Sequence, residues 1–161
     1  MTRYDIINKF IEKYNFNSFL EIGTLYGETF RSVKCKDKES VDPDPNTHPT
    51  HCLPSDEYFE KFNKKFDIIF IDGLHLCEQV DRDIKNALKH LNVGGVIVMH
   101  DCHPWSEETQ VHDVNNHPIA WTGDCWKAFV KNRAEQPFDM YVVDHDCGCG
   151  VIDTNKSKLS D

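Results

Sequence analysis

No apolar run in this chain approaches the roughly 20 residues that a membrane-spanning helix needs. The N-terminal stretch Met1 to Asp5 lacks the apolar segment of a secretory leader. No Lys/Arg cluster occurs, and 18 basic residues stand against 27 acidic ones, a formal net charge of −9. A protein built to grip nucleic-acid phosphates is therefore not expected, and no membrane partner either. The seven cysteines are odd in number and irregular in spacing, which argues against a disulfide framework. The C-x-x-C pair of common zinc sites is missing too. Cys102, His103, His112, His117, Cys147 and Cys149 are the residues that could otherwise be drawn on, and Cys147-x-Cys149 is a poor chelating step for tetrahedral zinc. These absences lead us to expect a cytoplasmic protein with reduced thiols. Neither an internal repeat nor a second domain is visible, and 161 residues suffice for one core. The expected division is a domain over residues 1–153 and a polar, frayed tail over 154–161.

What is present centres on Phe19-Leu20-Glu21-Ile22-Gly23-Thr24-Leu25-Tyr26-Gly27-Glu28-Thr29. A short apolar run carrying one acid is followed by two glycines four residues apart and then by an amphipathic segment. That is strand, glycine turn, helix. The spacing E-x-G-x-x-x-G differs from the G-x-G-x-x-G that wraps a pyrophosphate, and an acid at the strand end would repel one. This disfavours an NAD-linked dehydrogenase. Taken alone, the stretch reads equally well as a plain βα turn.

Around it the pattern alternates. Tyr4, Ile6, Ile7, Phe10, Ile11 and Tyr14 recur at helical spacing and predict a helix over residues 3–14. The helix after Gly27 runs to about Val33, and a short second strand ends at Asp42 before two prolines. Ser55 is the expected N-cap of a short helix, with Asp56 and Glu57 in its first turn. Phe66 to Asp72 is a nearly continuous apolar run, as in a central parallel strand. A helix over Leu76 to Leu91 ends at Asn92-Val93-Gly94-Gly95, and Val96 to His100 forms the next strand. Residues 102–122 read as a long loop, Gly123 to Arg133 as a helix, and Met140–Asp144 with Gly150–Asp153 as an antiparallel hairpin. The fold class is α/β, a doubly wound, mostly parallel, Rossmann-like sheet with a C-terminal antiparallel hairpin.

In such a sheet ligands bind beyond the carboxyl ends of the strands. Each of the first four predicted strands has an acid there: Glu21, Asp42, Asp72 and Asp101. With these ends, the stretches Val41-Asp42-Pro43, Ser55-Asp56-Glu57-Tyr58-Phe59, Phe66-Asp67-Ile68-Ile69-Phe70-Ile71-Asp72-Gly73-Leu74-His75 and Gly94-Gly95-Val96-Ile97-Val98-Met99-His100-Asp101-Cys102 resemble the class I S-adenosylmethionine-dependent methyltransferases. The likeness is to the small bacterial and phage-type group related to sugar and small-molecule O-methyltransferases, and it spans about Phe19 to Ile152.

The resemblance implies a cofactor, S-adenosyl-L-methionine, with Gly23, Thr24 and Gly27 against its methionine half and Glu21 near the amino group. It further implies Asp42 on the ribose hydroxyls, Ser55 and Asp56 beside the adenine, and Asp72 beside the methionine moiety or a metal. Relatives that use Mg²⁺ or a similar ion place acids where Asp72 and Asp101 stand, but here Cys102 follows Asp101 and no third acid is adjacent. His75, Asp101 and His103 are therefore the expected catalytic groups, with His75 or His103 as the base that frees an oxygen nucleophile. His100, inside an apolar strand, reads as a core or rim histidine. Trp105 and Trp121, in an acid-bearing loop, are expected to contact a sugar or other hydroxylated acceptor, and Trp126 to pack on the sheet. Two other readings are a non-catalytic S-adenosylmethionine- or metal-binding protein on this fold, and assembly as a homodimer.

Overall fold

A computed structural model describes residues 1–113, 115 and 120–157. It contains the α-helices α1 (Arg3–Tyr14), α2 (Glu28–Ser32), α3 (Ser55–Lys61), α4 (Cys77–Lys89) and α5 (Cys125–Glu135). The strands are β1 (Ser18–Ile22), β2 (Asp37–Val41), β3 (Phe66–Ile71), β4 (Leu91–Met99), β5 (Phe138–Val143) and β6 (Cys149–Ser157). They form one sheet in the order β2-β1-β3-β4-β6-β5. The first four strands pair in parallel, and β6 is antiparallel to both β4 and β5. His117 and the last four residues of the expected tail lie outside the described residues.

Period-two alternation builds the core. Leu20, Ile22, Ile69, Ile71, Ile97, Met99 and Ile152 face one side, where α3, α4 and α5 cover them with Tyr58, Phe59, Val80, Ile84, Ala128 and Phe129. Phe19, Ile68, Phe70, Val96, Val98 and Val151 face the other side, beneath Ile6, Ile7, Phe10 and Ile11 of α1. Each of those α1 side chains is buried, a gain of roughly 1.5–3 kcal/mol apiece. A capping box starts α1: the Thr2 hydroxyl accepts from the Asp5 N–H at 3.3 Å, and the Asp5 carboxylate accepts from the Thr2 N–H at 2.9 Å. Asn15, left-handed at φ 56°, ends it.

Several boundaries depart from the sequence reading. Helix α4 stops at Lys89, because the His90 ring bonds the carbonyls of Asn86 and Phe62 at 2.8 and 3.0 Å, and Gly94 and Gly95 lie within β4. Strand β6 continues to Ser157 instead of ending at Asp153. Polar residues hold that extension: Thr154 Oγ1 donates to the Gly95 carbonyl at 2.6 Å. Pro54, not Ser55, is the N-cap of α3.

Candidate functional site

The chain runs from β1 out to β2 and then crosses back to β3 on the other side of β1. That reversal puts the topological switch point between the carboxyl ends of β1 and β3, the point where open α/β sheets take ligands. The backbones close on each other there. Gly23 N–H donates to the Val41 carbonyl and Asp72 N–H to the Ile22 carbonyl, both at 2.8 Å. Gly23 is left-handed at φ +87°, and a Cβ on it would lie 2.1 Å from the Asp72 carbonyl oxygen. Only glycine fits. Gly27 ends the turn, also left-handed, at φ +66°.

Two polar atoms in this corner have no partner. Glu21 is 1 % exposed with Oε2 unbonded, and Thr24 is buried with Oγ1 unbonded. Burial, followed by the Asp72 charge, pushes the Glu21 carboxyl up to about 8 against the pull of Arg3 and Lys38. An orphaned buried carboxyl group beside a backbone cradle fits a ligand that brings an ammonium group to ionise it. Asp42 sits across the turn. One of its oxygens accepts from the N–H groups of Thr24 and Leu25 at 2.8 and 3.3 Å, and the other from Asp44 at 2.9 Å.

The ends of β3 and β4 are crowded instead. His75 Nε2 lies 3.3 Å from Asp72 Oδ1, and Nδ1 lies 3.2 Å from Asp101 Oδ2. His100 Nδ1 stands 3.4 Å from Asp72 and 3.3 Å from Asp101, and its Nε2 3.5 Å from Asp146. Burial opposes charge on both rings, yet the Asp72 and Asp101 carboxylates prevail: the His75 pKa rises, and that of His100 reaches about 10. Burial alone would lift Asp72, but bonds from His100 and His75 hold it down at about 2. What the apolar run around His100 does not show is its acidic surroundings. His100 follows Met99 at the strand's end, and its ring meets three carboxylates. Asp146 and Arg3 also escaped the sequence reading. Arg3 donates from its backbone N–H to Asp146 at 2.7 Å and from Nε to Thr29 Oγ1 at 2.9 Å, so the start of α1 ties α2 to the β5–β6 turn.

The remaining candidates divide. Trp121 stacks on His75 with ring centroids 5.5 Å apart, and its Nε1 donates to the Val111 carbonyl at 2.7 Å. His103 points elsewhere: its Nδ1 lies 2.8 Å from Asp144, and both side chains are exposed. Trp105 is exposed. Trp126 does not simply pack on the sheet, since it is only part-buried and its Nε1 donates to Gln110 at 2.8 Å. Ser55 Oγ donates to Asp83 at 2.6 Å, and Asp56 accepts from Arg82 at 3.2 Å, so α4 holds both side chains. Two trios of donor atoms lie within 4.8 Å of one another: Asp72, His75 and Asp101, and His100, Asp101 and Cys147. Cys102 is buried, with Sγ 3.6 Å from the His100 carbonyl.

Solved structures share this architecture at low identity. An O-methyltransferase from Bacillus cereus, in complex with SAH, superposes with a TM-score of 0.65 at 15 % identity over 94 % of this chain and 80 % of its own. The O-methyltransferase TomG from Streptomyces achromogenes, in complex with SAM, gives 0.66 at 13 % identity over 94 % and 78 %. The N-methyltransferase NodS from Bradyrhizobium japonicum gives 0.59 at 15 % identity over 93 % and 92 %. No curated protein matches the sequence. The family model described as a methyltransferase domain matches residues 20–102, from the middle of β1 to the residue after Asp101. With that match over half the sequence, on a mostly parallel sheet closed by an antiparallel hairpin, the chain belongs to the methyltransferase-domain family and has the class I, S-adenosylmethionine-dependent fold.

Proposed function

We propose that this protein methylates an oxygen of a small hydroxylated molecule or sugar. The observation that carries this reading is His75, held between Asp72 and Asp101 and stacked on Trp121 beside the glycine corner. S-adenosylmethionine would supply the methyl group from its sulfonium. Gly23, Thr24 and Gly27 would cradle its methionine half, and Glu21 would meet the ammonium group. Asp42 would face the ribose, with the capacity it retains beyond its bonds to the turn. Ser55 and Asp56 are less well supported beside the adenine, given their bonds to α4.

Transfer from a sulfonium is an in-line displacement, so the acceptor oxygen must be held about 3–3.5 Å from the methyl carbon and lose its proton. His75 would take that proton. As a base it must be neutral, and its raised pKa means that turnover climbs with pH beyond the ordinary histidine range. Asp101 would orient the ring, and Trp121 would wall the acceptor side. His103, bonded to Asp144, is the weaker candidate for the base, and Trp105 for substrate contact. Asp72, His75 and Asp101 also make a fitting oxygen-and-nitrogen donor set for a divalent ion, which when bound lowers the pKa of a hydroxyl. The seven free thiols fit a reducing, cytoplasmic setting. Among the described residues no helix is long and apolar enough to cross a membrane.

The test is S-adenosylhomocysteine formation with matched panels of hydroxylated and amine acceptors, with and without EDTA. Turnover confined to hydroxylated acceptors supports the reading, and turnover confined to amines overturns it. Activity that survives chelation assigns proton removal to His75, whereas activity lost on chelation and restored by a divalent ion assigns it to the ion.

A further inference from the structure

We infer that His100, Asp101 and Cys147 form a second, sulfur-containing metal site for a thiophilic divalent ion such as Zn²⁺. One donor atom from each lies within 4.8 Å of the others. In tetrahedral zinc, with bonds of about 2.0–2.3 Å, neighbouring ligand atoms stand roughly 3.3–3.7 Å apart, so a contraction of about 1 Å closes the set. The ligands come from segments the fold clamps together. Cys102 N–H donates to the Gly148 carbonyl at 2.8 Å and His103 N–H to the Cys147 carbonyl at 2.9 Å, pinning the β5–β6 turn against the end of β4. A Cβ on Gly148 would come 2.4 Å from that of His103, which shows how tight this junction is.

One further observation, on the His100 ring, points to a ligand. Asp101, Asp146 and Cys147 are all left-handed, at φ 56°, 52° and 60°, a conformation that costs a non-glycine residue roughly 1–2 kcal/mol. Asp146 and Cys147 are the central pair of the β5–β6 hairpin turn, closed by Gly148 N–H to the His145 carbonyl at 3.0 Å, which requires positive φ at both, so Asp101 is the one of the three left-handed outside a hairpin turn. His100 has Nδ1 held by two carboxylates while Nε2 is buried without a hydrogen bond. Carboxylates orient the ring at Nδ1, as they do in metal-bound histidines, and Nε2 has only the loose 3.5 Å approach to Asp146 to give up for a metal. Thiolate ligation favours zinc-like ions over Mg²⁺, which separates this set from Asp72, His75 and Asp101 on the other side of the shared carboxylate. Three protein ligands leave a fourth position for water or a substrate atom. Binding releases two protons to solvent, one from the Cys147 thiol and one from the His100 ring nitrogen that takes the metal. The inference rests on donor geometry and is independent of methyl transfer.

Chelator-treated protein titrated with Co²⁺ tests it. The expected result is sulfur-to-cobalt charge-transfer absorption, displaced by Zn²⁺, present in wild type and in Cys52→Ser, whose thiol is exposed elsewhere, but absent in Cys147→Ser. Changes outside the ligand shell already cost about 10- to 100-fold in metal affinity, so Cys147→Ser should lose at least 100-fold for Zn²⁺. Circular dichroism confirms that the variant is folded, and His100→Asn provides a second folded variant with at least tenfold weaker binding. A charge-transfer band that survives Cys147→Ser, a wild-type cobalt spectrum of oxygen and nitrogen ligation alone, or unchanged affinity in His100→Asn would overturn the inference.

Discussion

At the end of β1 and in the turn after it polar atoms stand without partners, whereas at the ends of β3 and β4 they crowd onto one another. Glu21 Oε2 and Thr24 Oγ1 are buried and unbonded beside a turn whose geometry depends on glycine. A few ångströms along the same sheet edge, Asp72 and Asp101 each meet both His75 and His100. A corner with unmet bonds gains from a ligand that supplies them. A network of paired acids and imidazoles holds its groups in place and tunes their protonation. The first arrangement suits binding, the second proton transfer.

Substitutions should break the two halves differently. Gly23→Ala carries the largest effect, because its Cβ would overlap the Asp72 carbonyl and its φ would be strained by roughly 1–3 kcal/mol before the clash is counted. It should lose S-adenosylhomocysteine binding outright and several kcal/mol of stability, as measured by calorimetry and urea melts. On the crowded side, His75→Ala should lower kcat by roughly 100- to 10,000-fold while cofactor affinity changes less than threefold. Loss of affinity in step with kcat would erase the distinction between the halves. Asp42→Ala lies between these in its effect. It removes the acceptor for two turn N–H groups, so stability should fall by about 1–3 kcal/mol and cofactor affinity by roughly tenfold or more. Retained affinity in that variant would remove Asp42 from the ribose.

The sheet and the unpaired corner were legible because short-range pattern specifies them. Apolar runs such as Phe66 to Ile71 alternate between two covered faces, and Gly23 with Gly27 marks a turn that needs positive φ. The acids at four strand ends could be read for the same reason. The crowded corner was only half legible, since its partners arrive from far along the chain. Arg3 and Asp146 are 143 residues apart, and only the antiparallel return of β6 brings Cys147 to Asp101. Ser55 and Asp56 read as helix-start residues, but their side chains answer to Asp83 and Arg82 on another helix, which no local window contains. His100 belongs to an apolar run by sequence, and its place one residue past the end of β4 is what turns it into the site.

Glu21 gives the subtlest way to sharpen the comparison. Its carboxyl sits at about 8 in the folded protein against an ordinary value of 4.5. Between those two pH values the folded state keeps a proton that the unfolded chain has released, so stability falls as pH rises through that window. Each unit of separation corresponds to about 1.4 kcal/mol. Glu21→Gln carries no ionisable proton there. It should match wild type near pH 4.5 and exceed it by about 1–3 kcal/mol at pH 8, in urea melts at the two pH values. The same change should weaken S-adenosylmethionine binding, because an arriving ammonium group ionises Glu21 and expels its proton. Wild-type binding at pH 7 should therefore release a proton to buffer, seen as a calorimetric enthalpy that varies with the buffer's ionisation heat, and the glutamine variant should show no such dependence. A variant less stable than wild type at pH 8 would mean that Glu21 is already paired, and the contrast between the two corners would fail on the unpaired side.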